Sequence, residues 1–81
     1  MKAAAVRDSM RAAGLEIIAA GQFSVSARSS DGCTFVHALE YPRGWRIQNA
    51  RESRAATRAE IAREPGAVTR FCAELLLAGR C

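Results

Sequence analysis

Residues 23–41 read FSVSARSSDGCTFVHALEY and contain the clearest strand pattern in the chain. Apolar and polar residues alternate from Phe23 to Arg28, as expected of a strand with one buried face. The Ser-Ser-Asp-Gly sequence at 29–32 predicts a turn, because the aspartate can bond its own backbone and the glycine tolerates a positive φ. A second strand over residues 33–41 then returns antiparallel to the first.

The returning strand carries apolar residues on both of its faces. Phe35 and Leu39 share one face, and Val36 and Ala38 share the other, because successive side chains of a strand point in opposite directions. Strands that are apolar on both faces are typical of the middle of a sheet. We therefore expect 33–41 to be the central strand, with the Phe35 face toward the core.

A third strand follows a second tight turn, Pro42-Arg43-Gly44. Residues 45–48 alternate again, which predicts a short strand with Trp45 and Ile47 inward and Arg46 and Gln48 outward. The three strands together predict an antiparallel meander.

The N-terminal segment favours a helix. Residues 3–13 are rich in alanine, the strongest helix former, and Gly14 can cap such a helix as a left-handed residue. Residues 15–20 leave three alternatives open: the helix stops before them, continues through them to a cap at Gly21, or gives way to a strand.

Two further helices are expected after the meander. Asn49 followed by Glu52 three residues later resembles a capping box and predicts a helix over 50–63. Pro65 and Gly66 then separate this helix from a last one over 66–78. The last helix has the best amphipathic pattern in the chain, made by Val68, Phe71, Cys72, Leu75 and Leu76.

The element order is therefore α-β-β-β-α-α, an α+β fold in one compact domain over residues 1–81. Helices of such a domain cover one face of the meander and leave the other toward solvent or a partner. The expected core consists of Phe23, Val25, Phe35, Leu39, Trp45, Ile47, Val68, Phe71, Leu75 and Leu76.

Composition narrows the class of protein. The chain has 81 residues, 49% apolar and 25% charged, which is the ordinary balance of a folded domain. Folding buries only about 60% of the surface of so short a chain, so a deep catalytic pocket is hard to build.

No apolar stretch approaches the ~20 residues of a membrane span. Arg7 and Asp8 interrupt the N-terminus before a signal-peptide core could form, and three cysteines without a CxxC pair agree with a cytoplasmic protein.

Catalytic and metal-binding patterns are missing from the sequence. Cys33 and His37 are the only close pair of potential zinc ligands, and only the distant Cys72 or Cys81 could help to complete a site. A strand would hold Cys33 and His37 ~13 Å apart, too far for the hydrogen bond that nucleophilic catalysis needs. Glu60 and Glu64 share a helix face, but their setting beside Arg63 favours a solvated surface. We therefore expect no enzyme activity, no cofactor and no metal.

Arginine is the informative residue type. The chain has 11 Arg and one Lys, and its net charge is +4. Three arginines recur on one face of the helix expected over 50–63. Two more point outward from the sheet, and one lies in the turn before its third strand. Such residues bind phosphates, bind carboxylates bidentately, or only face water. The candidate partner-binding residues are Arg28, Arg43, Arg46, Arg51, Arg54 and Arg58, together with Tyr41 as an exposed aromatic residue.

The order α-β-β-β-α resembles that of the double-stranded-RNA-binding domain, whose second helix begins with basic residues. Arg51, Arg54 and Arg58 occupy the matching place, whereas the turn at 29–32 replaces that family's Gly-Pro-x-His loop. The resemblance implies direct binding of nucleic acid.

In length and in its Ala- and Arg-rich composition the chain also resembles the small accessory proteins of bacteriophages, among them the anti-CRISPR proteins. That resemblance implies a small protein that binds a host nucleoprotein complex and blocks it. The sequence-based hypothesis is thus a non-enzymatic binding protein that inhibits a host protein or nucleoprotein complex through its arginines, as a monomer or homodimer. The alternative is a nucleic-acid-binding module.

Overall fold

A computed structural model describes residues 3–79, which form an α+β fold with one antiparallel sheet of five strands. The elements in chain order are α1 (Ala3–Ala12), β1 (Glu16–Ala20), β2 (Ser24–Arg28), β3 (Phe35–Tyr41), β4 (Gly44–Gln48), β5 (Ser53–Thr57), α2 (Arg58–Arg63) and α3 (Ala67–Ala78).

Every strand pairs with its neighbour along the chain, so the sheet order is β1-β2-β3-β4-β5. α1 and α3 pack against one face of this sheet and share a core with it. α2 is short and lies beside β4 and β5. β3 is the central strand, as its two apolar faces predict.

Residues 16–20 form a strand, which settles the alternatives left open for 15–20. β1 pairs with β2, and its register shifts between Ile17 and Ala19, so Ile18 lies in a β-bulge. Gly14, with φ of +85°, reverses the chain between α1 and β1. The first helix therefore ends before the glycine, as one of the alternatives expected.

The helix expected over 50–63 is wrong over most of its length, because residues 53–57 are β5. Arginine and alanine favour helix by at most ~0.7 kcal/mol per residue over the other residues of this segment. Pairing along the whole edge of β4 and burial of Ala56 outweigh that preference. Asn49 does cap the segment, but its Oδ1 accepts the N–H groups of Arg51 and Glu52, at 2.8 and 2.9 Å, to close a turn.

The element order differs from the expected α-β-β-β-α-α. The sheet has five strands instead of three, and all five lie between α1 and α2. The order predicted from the resemblance to the double-stranded-RNA-binding domain is therefore wrong as well.

The face of β3 that meets the core also differs from expectation. The turn at Pro42 and Arg43 pairs Tyr41 with Gly44, so Trp45 lies opposite Glu40. Side chains directly opposite each other share a face. Trp45 and Ile47 are buried, so the Val36 face of β3 must be buried with them, and Phe35 and Leu39 point away from the helices.

The core lies between the sheet and the pair α1 and α3. Seven of the ten expected core residues are buried there: Val25, Trp45, Ile47, Val68, Phe71, Leu75 and Leu76. Phe23 and Phe35 are exposed and Leu39 is half-buried, so these three assignments were wrong. The core is completed by small residues of the sheet and by one face of α1: Ala27, Val36, Ala38, Ala56, Ala3, Val6 and Met10.

The last helix is confirmed, and it joins the two ends of the described chain. α3 buries its apolar stripe, and Thr69 on it shares a 2.8 Å hydroxyl hydrogen bond with Ser9 on α1. Burial raises the pKa of the Cys72 thiol to about 12, in keeping with its expected place in the core. Over residues 3–79, no helix is long and apolar enough to cross a membrane.

α2 begins with the capping box that the sequence analysis had placed at Asn49. The hydroxyl of Thr57 accepts the backbone N–H of Glu60, and the Glu60 carboxylate accepts the N–H of Thr57 at 2.8 Å. Hydrogen bonds from the Thr57 backbone and then from its hydroxyl lower the pKa of Glu60. The ionised carboxylate therefore fixes the first turn of this helix against the end of β5.

This capping box predicts a pH-dependent contribution to stability. The folded-state pKa of Glu60 lies below its ordinary value of 4.5, so unfolded chains bind more protons and stability falls as the pH drops through that range. We expect wild type to be more stable than Glu60→Gln near neutral pH and to lose that advantage progressively as the pH falls below 4.5 and through the lower folded-state pKa. Urea unfolding of both proteins at several pH values measures this. Glu52→Gln is the matched control, and a pH-independent difference for Glu60→Gln would contradict the prediction.

Candidate functional site: the open face of the sheet

The face of the sheet away from α1 and α3, here called the open face, carries an apolar stripe along its central strand. The stripe consists of Phe35, His37, Leu39 and Tyr41, which alternate with the buried residues of β3. Phe35 is 51% exposed and Tyr41 is 52% exposed. Most sheets with one covered face place polar residues on the other, so an aromatic stripe there is a feature to explain.

Arginines flank this β3 stripe on both sides. Arg28 on β2 lies opposite Phe35, and Arg46 on β4 lies opposite Leu39. Arg28 forms an ion pair with Glu16 at 2.5 Å, and the hydrogen bond and the charge of that carboxylate raise the pKa of Arg28. Among residues 3–79, the hydrogen bond that Arg46 donates is a long one, 3.4 Å, to the Ser53 hydroxyl. Its positive charge is therefore available to a partner.

His37 makes a cross-strand pair that the sequence analysis missed. Its Nδ1 lies 2.6 Å from the Oγ of Ser26 on β2, and its ring meets Phe35 edge-on with centroids 5.2 Å apart. A serine beside a histidine suits nucleophilic catalysis only if a third group orients the imidazole. Within residues 3–79 no carboxylate bonds to this ring, and the hydrogen bond to Ser26 joins β2 to β3 across the open face.

A depression of about 480 Å³ opens at the hairpin end of the stripe. Tyr41, Arg43 and Arg46 line it, and the small residues Gly44 and Ala55 form its floor. Gly44 has a φ of +149°, and a Cβ there would lie 2.1 Å from the carbonyl oxygen of Ala56. Only glycine therefore lets β5 approach β4 this closely beneath the depression.

The six candidate arginines do not form one cluster. Arg43 and Arg58 are neighbours, because the N–H of Arg58 donates to the Arg43 carbonyl oxygen at 3.2 Å. Arg51 lies in the turn at the other end of β4, ~20 Å away by strand rise. Arg54 lies on the helix side of β5, where it pairs with Glu74. The expectation of one helix face for Arg51, Arg54 and Arg58 is wrong, since β5 replaces that helix.

Arg54 contributes to packing and is withdrawn from the candidate site. Its guanidinium lies 5.8 Å from the ring centroid of Phe71, and Arg70 covers the same ring at 4.8 Å. Arg70 also reaches Glu64 at 3.1 Å and Glu74 at 3.9 Å. These arginines join β5, α3 and the turn before α3 into one charged cover over the core.

Tyr41, Arg43 and Arg46 are the sequence-predicted residues that the fold brings together, with Arg28 further along the stripe. Sequence reasoning missed Phe35 and Leu39 because it placed them in the core, and it considered His37 only as a zinc ligand or a catalytic residue. The length of the turn between β3 and β4 is the signal that could have identified them. A turn of two residues pairs Tyr41 with Gly44 and Glu40 with Trp45, so a buried Trp45 leaves the Phe35 face of β3 outside.

The two potential zinc ligands of the sequence, Cys33 and His37, lie in different parts of the β2–β3 hairpin. Cys33 lies in the turn before β3 and not on the strand, and His37 is bonded to Ser26. Among the described residues, no three His, Cys, Asp or Glu side chains gather where an ion could bind.

No family model, curated protein or solved structure matches this chain. The indications of what the open face binds are therefore its own residues and their chemistry.

The floor of the depression gives a testable prediction. Gly44→Ala forces a clash with the Ala56 carbonyl and strains the backbone, so we expect a loss of ~2 kcal/mol or more in the free energy of unfolding. Gly66→Ala is the matched control, because a Cβ at Gly66 meets nothing within 4 Å, and its cost should stay below ~1 kcal/mol. Urea unfolding measures both variants, and equal midpoints would contradict this account of Gly44.

Proposed function

We propose that this protein is a non-enzymatic binding protein that blocks a protein or nucleoprotein complex by docking its open face on that complex. The observation that carries the proposal is the β3 stripe: Phe35 and Tyr41 stay half-exposed between Arg28 and Arg46. Aromatic residues and arginine are the residue types enriched at the centres of protein interfaces.

The shape of the face supports a protein partner. The depression beside Tyr41 is lined mainly by apolar atoms and has room for a large side chain, about 480 Å³. Interfaces are typically anchored by one or two aromatic or arginine side chains that fill such pockets. The stripe supplies the apolar contact around the anchor.

Charge indicates what kind of surface the partner presents. Arg43 and Arg46 have no carboxylate within 4 Å in the part of the chain that the structure describes. Arginine binds a carboxylate bidentately, and that contact strengthens when water is excluded. An acidic surface with an aromatic or aliphatic anchor is therefore the complement of the open face.

A protein bound in this way would inhibit the partner complex by covering its surface. A rigid domain bound over an acidic, nucleic-acid-processing surface excludes other ligands without any reaction of its own. This is the mode of action that the resemblance to anti-CRISPR proteins implies, and it is the specific form of the proposal.

One substitution on the β3 stripe is expected to reduce partner capture strongly. Tagged wild-type protein and its Phe35→Ser variant are used to capture partners from a lysate of the host, and the bound proteins are identified by mass spectrometry. We expect Phe35→Ser to reduce the recovery of one acidic partner about tenfold or more, because a central aromatic contact contributes ~1.4 kcal/mol or more.

Leu77→Ser is the matched control, since Leu77 is 64% exposed but lies on α3, in the helix layer. That variant should capture the partner as wild type does, and both variants should unfold at the wild-type urea concentration. Recovery of the same proteins by wild type and Phe35→Ser would refute the role of the open face.

A second candidate function uses the same residues on single-stranded nucleic acid. Exposed aromatic side chains on a sheet surface stack bases, and flanking arginines neutralise phosphates. Phe35 and Tyr41 with Arg28 and Arg46 have this arrangement. The pairing of Arg28 with Glu16 lowers the positive charge available, which is why a protein partner ranks first.

Gel shifts at low salt separate the two candidates. If the open face binds nucleic acid, single-stranded RNA or DNA is retarded, and the affinity falls steeply with salt concentration. Arg46→Gln should then flatten the salt dependence by about one counterion, whereas Arg51→Gln in the far turn should not. Absence of any shift with RNA, single-stranded DNA and duplex DNA would eliminate this candidate.

A further inference from the structure

A second and larger cavity, about 620 Å³, lies on the helix side of the sheet at its hairpin end. Three aromatic residues, Phe23, Tyr41 and Trp45, line it, and α2 closes one side with Arg58 and Ile61. Phe23 remains 59% exposed, so α1 and α3 do not reach this end of the sheet. The cavity exists because the helix layer stops short of it.

The floor of the cavity is a cross-strand row with a carboxylate at its centre. Phe23 lies opposite Glu40, because the register of β2 and β3 continues one residue further and the N–H of Glu40 donates to the Phe23 carbonyl oxygen at 2.8 Å. Trp45 lies opposite Glu40 on the other side. One carboxylate thus sits between two aromatic side chains.

Glu40 is incompletely satisfied in this position. Its Oε1 is inaccessible to solvent, and no donor within residues 3–79 forms a hydrogen bond with it. A buried acceptor without a partner is costly, and the great majority of such atoms in proteins are bonded. Glu40 also lines the cavity, and its carboxylate forms no ion pair with a side chain among residues 3–79. An ammonium group in the cavity would give this carboxylate a cationic partner, and the aromatic walls also attract cations.

A positive charge lines the same cavity. Arg58 begins α2, which the Thr57 and Glu60 capping box fixes to the end of β5. Its side chain is exposed and has no carboxylate within 4 Å among residues 3–79, Glu40 included. A ligand that carried only an ammonium group would be attracted by Glu40 and repelled by Arg58.

We propose that this cavity binds a free amino acid with an aromatic or other large apolar side chain. Glu40 accepts the hydrogen bonds of the α-ammonium group, Arg58 donates to the α-carboxylate, and the side chain lies against Phe23 and Trp45. The ligand's two charges match the two unpaired charges of the cavity, and its net charge is zero. Small-molecule sites are concave and mainly apolar with a few such polar groups, and 620 Å³ is within their usual range.

Three related probes test the charge requirement on the wild-type protein. L-phenylalanine carries both charges, phenethylamine only the ammonium, and 3-phenylpropanoate only the carboxylate. Trp45 is the only tryptophan, so its fluorescence reports occupancy of the cavity. We expect a saturable change with L-phenylalanine at a Kd of ~1 mM or below, and affinities about tenfold weaker for each single-charge analogue. Equal affinities for all three probes, or no saturation by L-phenylalanine up to about 10 mM, would overturn the proposal.

Variants then assign the charges to residues. Glu40→Gln should weaken the binding of L-phenylalanine about tenfold, so that it binds no more tightly than 3-phenylpropanoate. Arg58→Gln should also weaken the binding of L-phenylalanine about tenfold, so that it binds no more tightly than phenethylamine. Arg58 is exposed, so its variant folds even if Glu40→Gln does not. Arg51→Gln, in the far turn, is the control and should bind as wild type. Unchanged binding by Arg58→Gln would contradict the assignment.

This inference does not rest on the proposed function, and the two fail separately. Phe35→Ser, which should strongly reduce partner capture, lies on the open face away from the cavity and should leave L-phenylalanine binding unchanged. Loss of amino-acid binding in Phe35→Ser would contradict the separation of the two sites.

Discussion

The turn at Pro42 and Arg43 fixes the register of β3 against β4, and this register decides which side of every strand the helices cover. Tyr41 pairs with Gly44, so Trp45 brings Glu40 and the Val36 face of β3 to its own side of the sheet. The rest of β3 then faces outward as an aromatic stripe. Both proposed sites depend on this one register, since a shift of one residue would exchange the two faces.

The sequence was sufficient for the strands with clear alternation and for the amphipathic last helix. It was insufficient for β3, because both faces are apolar and periodicity gives no direction. β5 was misassigned because Arg54 and Ala55 favour helix in isolation, while the free edge of β4 favours strand only after the sheet exists. Of the site, Tyr41, Arg43 and Arg46 were predictable as exposed residues near a turn, and Glu40 was not, since nothing local distinguishes its environment.

Coverage of the sheet is incomplete for a geometric reason. The helices α1 and α3, of 10 and 12 residues, are ~15 and ~18 Å long, whereas the seven residues of β3 extend ~23 Å along the strand. Two helices cover the centre of such a sheet but leave the hairpin end to α2, which has only six residues. The cavity beneath α2 is therefore a result of the short helices. Over the part of the core that the helices do cover, Arg54, Arg70 and Glu74 form ion pairs at the surface.

The hydrogen bond between Ser9 and Thr69 has a kinetic consequence. Every strand pairs with its neighbour across a short connection, so the sheet forms through contacts that close small loops and cost little chain entropy. α1 and α3 meet across 60 residues, which is among the longest closures in the fold. The sheet is expected to assemble early by successive hairpins, and docking of the two helices onto it completes the cooperative unit.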